Sequence, residues 1–156
     1  MSRILYFDVD GTLLVQSTSE PKPALAAGRF ESAVRSAKFD ALVCVGNFVA
    51  IAHTMHESDA QYDRLGAIFA LAQGVFRDET WFRTVTRLAR DPKNRALEID
   101  RASDWWYVDD CAREFMTSAG LADVYAQESG QRICVPAPDG DGADVMTWLE
   151  RVAART

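Results

Sequence analysis

The pattern of the chain predicts a three-layer α/β/α domain with a mostly parallel sheet. Two observations carry that reading. Four short runs, Ile4 to Phe7, Ala41 to Val45, Trp105 to Val108 and Ile133 to Val135, are apolar on both faces, as strands buried beneath two layers must be. Between them lie stretches with apolar residues at helical spacing, so strands and helices alternate.

Ile4-Leu5-Tyr6-Phe7 is closed by Asp8-Val9-Asp10-Gly11, a polar turn behind a central strand. Gln16 to Lys22, with Pro21 and Pro23, reads as loop. Phe30, Val34 and Ala37 mark a short helix, and Ala41-Leu42-Val43-Cys44-Val45 a second strand stopped by Gly46-Asn47. Phe48 to about Met55 is expected to be helical. Asp59 is expected to cap a helix carrying Tyr62, Leu65, Phe69 and Ala72, with Gly74 as its stop. Asp78 and Glu79 suit the start of another, whose stripe of Trp81, Val85, Leu88 and Ala89 runs to Asp91-Pro92. A further strand is sought in Gly74-Val75-Phe76 or in Ala96-Leu97-Glu98-Ile99, and the pattern does not choose between them. Asp104 to Val108 is a strand ending in Asp109-Asp110. The helix after it bears Phe115, Met116 and Ala119, with Gly120 beyond its end. Arg132 to Val135 is the last strand, and Asp144 is the expected cap of a terminal helix with Val145, Trp148, Leu149 and Val152.

A length of 156 residues, 48% hydrophobic and 26% charged, suits one globular domain over 1–156 and excludes wholesale disorder. No apolar run is long enough to span a bilayer or to serve as a signal peptide, so a cytoplasmic protein is expected. The net charge of −6 argues against a dedicated binder of duplex DNA or of anionic membrane. Cys44, Cys111 and Cys134 are odd in number and set in apolar surroundings, so reduced buried thiols are expected.

Two acidic clusters stand at strand ends, where open α/β sheets bind ligands: Asp8 with Asp10, and Asp109 with Asp110. Carboxylates gathered together repel and are costly to desolvate. A hard divalent cation such as Mg²⁺ relieves that repulsion, if the two strands are neighbours.

Phe7-Asp8-Val9-Asp10-Gly11-Thr12-Leu13-Leu14 resembles the DxDGT(L/V) first motif of the haloacid dehalogenase superfamily, and Tyr107-Val108-Asp109-Asp110 its later acidic motif. The resemblance implies a Rossmann-like core and a phosphatase-type chemistry. Asp8 would attack phosphorus, and Asp10 would protonate the leaving oxygen and then activate water. Gly11 would allow the turn and Thr12 would hold the loop. Mg²⁺ would be held by Asp8, the carbonyl of Asp10, Asp109 and, directly or through water, Asp110.

The pattern departs from that family twice. Gly46 stands where a Ser or Thr hydroxyl is expected to hold the phosphoryl group, leaving Asn47 or backbone N–H groups to substitute; Thr54 lies too far along the chain. Lys93 is the first choice for the cation beside the nucleophile, with Arg87, Arg90 or Arg95 as alternatives. His53 with His56, an acidic stretch from Asp139 to Asp144, and Trp105-Trp106 suggest a metal pair, a calcium loop and a base-stacking site only weakly; packing and capping explain them better.

Leu14 to Asp40 has room for a flap and one helix but not for a cap domain. The resemblance then implies an open site and a phosphorylated substrate that can be large. The expected function is a Mg²⁺-dependent phosphohydrolase. The alternative is a catalytically weak or inactive domain of the same fold that binds metal or a phosphorylated ligand, which Gly46 and the open choice of cation beside the nucleophile favour.

Overall fold

A computed structural model describes residues 1–15, 22–23, 28–55, 58–91, 94–137 and 142–155. Its main sheet has five strands: β1 (Arg3–Asp8), β4 (Ala41–Val45), β5 (Thr86–Leu88), β6 (Asp104–Val108) and β7 (Ile133–Cys134), in the order β5-β4-β1-β6-β7. All four pairings are parallel. With helices on both faces this is a Rossmann-like three-layer α/β/α fold, as the alternation of elements predicts. A second, two-stranded sheet pairs β2 (Leu14–Val15) antiparallel with β3 (Lys22–Pro23), directly after the first acidic cluster.

The period of two along each strand sorts side chains between the faces. On one face Phe7 meets Phe30 of α1 (Arg29–Ser36) and Phe76. Phe76 meets Phe82 of α4 (Glu79–Val85), which meets Phe69 of α3 (Arg64–Leu71). Trp106 packs edge-on against Trp148 of α7 (Ala143–Ala154), which lies beside α1. The other face carries Tyr6, Asp8 and Tyr107. Over it lie a 3-10 turn, η1 (Arg95–Glu98), and α5 (Ala112–Ser118). The Tyr6 hydroxyl there accepts from the Asp100 N–H. α2 (Asn47–Met55) follows β4, and α6 (Ala122–Glu128) precedes β7.

Several expectations are corrected. The third strand of the β5 side is neither Gly74–Phe76 nor Ala96–Ile99; it is Thr86–Leu88, within the stripe read as helix. Val85, Leu88 and Ala89 fit helical spacing, but Thr86 turns extended at φ −106, ψ 136, and β5 then pairs with Leu42 to Cys44. Ala96 to Glu98 form the 3-10 turn instead. Asp63, not Asp59, caps α3 by accepting from Gly66 N, and Gly142 rather than Asp144 precedes α7. α6 was not foreseen, because it buries no residue fully and so shows no apolar stripe. The Asp78 cap and the left-handed Gly120 (φ 76) are found as expected. All three cysteines are free, two of them buried. Among the described residues, no helix is long and apolar enough to cross a membrane.

Phe76 is 1% exposed and joins three other rings, so it anchors the aromatic wall behind β1. Phe76→Ala is expected to lower stability by about 3–5 kcal/mol in urea unfolding, and Phe76→Leu by clearly less.

Candidate functional site

The parallel register places Phe7 opposite Val108, so the next residues on the two strands, Asp8 and Asp109, emerge side by side at the carboxyl edge. Both are buried, at 1% and 0% exposure. The chain leaves β1 in a helical turn in which the Val9 carbonyl accepts from the N–H groups of Thr12, Leu13 and Leu14. Gly11, at φ +79, lets this turn close, and a Cβ there would come within 2.9 Å of Asp110 Oδ2. The turn brings the Thr12 hydroxyl 2.8 Å from Asp8 Oδ2 and 3.0 Å from Asp110 Oδ1. That hydroxyl also accepts from Asp110 N, so its single proton serves one carboxylate at a time while its oxygen ties the two clusters together.

Arg95 sits between the aspartates. Its Nη1 lies 3.0 Å from each oxygen of Asp109 and 3.3 Å from Asp8 Oδ2. The guanidinium stacks 4.2 Å from the Phe115 ring, and Nη2 donates to Asn47 Oδ1 at 3.3 Å. Asn47 Nδ2 in turn reaches Asp10 Oδ2 at 3.5 Å. Asp109 accepts two further bonds, from the Tyr107 hydroxyl at 2.7 Å and Cys111 N at 2.8 Å, so both its oxygens are fully engaged. Asp8 Oδ1, by contrast, is buried and has no hydrogen-bond partner among the described residues.

Electrostatics follow from this crowding. Burial, then the Asp109 charge, hold the Asp8 carboxyl well above the ordinary carboxylate range, although Arg95 and the Thr12 hydroxyl pull it down. Burial raises Asp109 as well, against Arg95, Tyr107 and Cys111 N. Burial opposes the charge on Arg95, but the two aspartates outweigh it and keep the guanidinium ionised. Burial, with Asp110 and Asp109 adding to it, pushes the Cys111 thiol up to about 11, so it is no thiolate nucleophile at neutral pH.

Of the sequence-derived site residues, Asp8, Asp10, Thr12, Gly46, Asn47, Asp109 and Asp110 converge here. Lys93 lies outside the described residues, as do His56 and Asp139 to Asp141. Among the alternatives for the cation, Arg95 is the one in the site; Arg87 pairs with Glu98 instead. Thr54 is exposed at the end of α2, and His53 Nε2 lies 3.0 Å from the Ala89 carbonyl oxygen. Trp105 and Trp106 belong to the core. Tyr107 was missed as a site residue, although its place two positions before Asp109 on one strand puts both on the same face.

Gly46 has a physical reason. Its φ of +105 is one that side chains avoid, and a Cβ would sit 1.9 Å from Asp8 Oδ1. A serine or threonine cannot occupy this position while Asp8 stands where it does. Asp109, Asp110 and Cys111 offer ligand atoms within 4.8 Å of one another, but both Asp109 oxygens are already engaged, which leaves Asp110 as the exposed carboxylate of this group. Comparison with family models, with curated proteins and with solved structures finds no match for this chain.

Two outcomes are expected. Asp8→Asn removes a desolvated charge and should raise the Tm of the metal-free protein at neutral pH, read by thermal unfolding. Folded Asp8 keeps its proton to higher pH than the unfolded chain does. Its contribution therefore fades as pH rises from about 4 through the folded value, and the gain from Asn should vanish in acid. Gly46→Ala should displace the Asp8 carboxylate and cost about 1–3 kcal/mol, read by thermal unfolding.

Proposed function

We propose that the chain is a Mg²⁺-dependent phosphohydrolase that works through an aspartyl-phosphate on Asp8, as its resemblance to haloacid dehalogenase-type phosphatases implies. The observation that carries the reading is the convergence of Asp8 and Asp109 from neighbouring strands on one guanidinium, with Asp10 and Asp110 beside them.

The residues fit a hard cation. Asp8 Oδ1 is a buried carboxylate oxygen with no hydrogen-bond partner among the described residues, and Asp110 is an exposed carboxylate tied through Thr12 to the other oxygen of Asp8. Asp109 is committed to Arg95, Tyr107 and Cys111 N, so it orients the arginine more than it offers a ligand. Bound there, Mg²⁺ would supply charge neutralisation for a phosphate approaching these carboxylates. Asp8 attacks phosphorus as the P–O bond to the leaving group breaks, and Asp10 hands that oxygen its proton. Asp10 then takes a proton from water, whose oxygen displaces Asp8 and releases phosphate. Arg95 keeps Asp8 in place and offsets the charge gathered on the phosphoryl oxygens. Asn47, lying between Arg95 and Asp10, holds the acid against the arginine.

The segment after Asp10 supports an open site. Among its described residues it carries the antiparallel pair β2–β3 and then α1, which agrees with the flap and one helix for which the length leaves room. Such a site admits large phosphorylated substrates.

A second reading, a catalytically weak domain that binds metal or a phosphorylated ligand, is favoured by two observations. Asp8 is 1% exposed beneath its neighbours, and Gly46 contributes no hydroxyl. A panel of phosphomonoesters assayed with and without Mg²⁺ separates the two. The first reading expects metal-dependent turnover that falls about 10³-fold or more in Asp8→Asn and about 10²–10⁴-fold in Asp10→Asn. Absence of turnover, with Mg²⁺ or beryllofluoride raising Tm, selects the second.

A further inference from the structure

At the start of α1, Arg29, Arg35 and Arg77, all three exposed, line an open surface cavity of about 410 Å³ together with Gly28, Glu31 and Ser32. None of these residues takes part in the Asp8 site. Three guanidiniums around one cavity are conspicuous in a chain of net charge −6. The acidic groups nearby are already engaged. Glu31 is buried and accepts from the N–H groups of Arg77 and Asp78 through Oε1, which pins the start of α4 to α1. Asp78 accepts from Trp81 N and pairs with Arg35 at 2.9 Å, while Arg35 also lies 3.9 Å from Glu31 and stacks 4.4 Å from the Trp81 ring. Among the described residues, neither Arg29 nor Arg77 has an ion-pair partner.

Arg77 is placed rather than left to wander. Its side chain lies across Gly28, with Cδ 2.7 Å from where a Cβ would be, and Gly28 has φ +80. The glycine therefore gives Arg77 a bed that other residues would fill. The site lies on the Phe7 side of the sheet, since Phe30, next after Arg29, and Phe76, next before Arg77, both pack against Phe7. A guanidinium matches the paired oxygens of a phosphate group and keeps its charge at any physiological pH.

We propose that this cavity is a phosphate-binding subsite in which Arg29 and Arg77, steadied by Arg35 and Glu31, hold a phosphate-class dianion. The group could come from a second phosphoryl group of a substrate or from free phosphate, and the arms of one experiment tell the two apart.

The binding arm uses full-length Asp8→Asn protein, so it does not depend on turnover. It is titrated with inorganic phosphate and with pyrophosphate, without Mg²⁺, while backbone amide shifts are followed by NMR. Saturable shifts at Gly28, Arg29, Ser32 and Arg77 are expected. They should weaken at least tenfold in Arg29→Ala/Arg77→Ala and in Arg77→Glu, and be partly restored in Arg77→Lys, with the remaining spectrum intact. Absence of these shifts, or shifts unchanged by both variants, would overturn the subsite whatever the outcome at Asp8. Given binding, the activity arm compares KM for a bisphosphorylated substrate with that for a simple aryl phosphate in the otherwise active Arg29→Ala/Arg77→Ala protein. A rise in KM for the bisphosphate alone assigns the site to substrate; unchanged KM for both assigns it to free phosphate.

Discussion

Two carboxylates taken out of water side by side are the constraint around which this molecule is arranged. Left alone, Asp8 and Asp109 would repel and would each lose hydration, and burial drives both toward the protonated form. Arg95 opposes this with one nitrogen shared between them. Its own burial is tolerable because those same aspartates surround it and Phe115 covers its flat face. The arrangement is therefore mutual: remove the arginine and two buried anions face each other, remove either anion and part of the arginine's compensation goes.

The surrounding elements can be understood as what this triad requires. Arg95 opens the 3-10 turn, and Asn94 holds that turn's start by accepting from Ala96 N. Tyr107 and Cys111 N complete Asp109, and Thr12 steadies Asp8 while tying in Asp110. Gly46 leaves the space into which Asp8 leans. A glycine in place of the hydroxyl expected there is thus not simple loss of a phosphate ligand. The local backbone is shaped around the aspartate, and Asn47, one residue on, carries the polar group instead.

The sequence disclosed the strands that matter because burial on both faces leaves a continuous apolar run, as in Leu42 to Val45 and Trp105 to Val108. It disclosed the two acidic clusters for the same reason, since each closes such a run. It hid β5, because Val85 and Leu88 satisfy a helical stripe as well as a short edge strand, and only pairing with β4 decides. It hid the choice among Lys93, Arg87, Arg90 and Arg95, since four basic residues within nine positions follow no period that singles one out. What selects Arg95 is a turn fixed by contacts with α5 from distant sequence. The reason for Gly46 was equally out of reach, being a clash with an atom 38 positions away in the chain.

Phe7 and Asp8 are consecutive on the middle strand, and they serve opposite sides of the sheet: one enters the aromatic wall, the other the charged triad. A slip of β1 by a single residue would exchange them, thrusting a carboxylate among phenyl rings and a phenyl ring onto a guanidinium. Neither error is survivable beside the other, so each layer polices the alignment of its neighbour. An insertion or deletion within Ile4 to Asp8 would accordingly abolish both at a stroke.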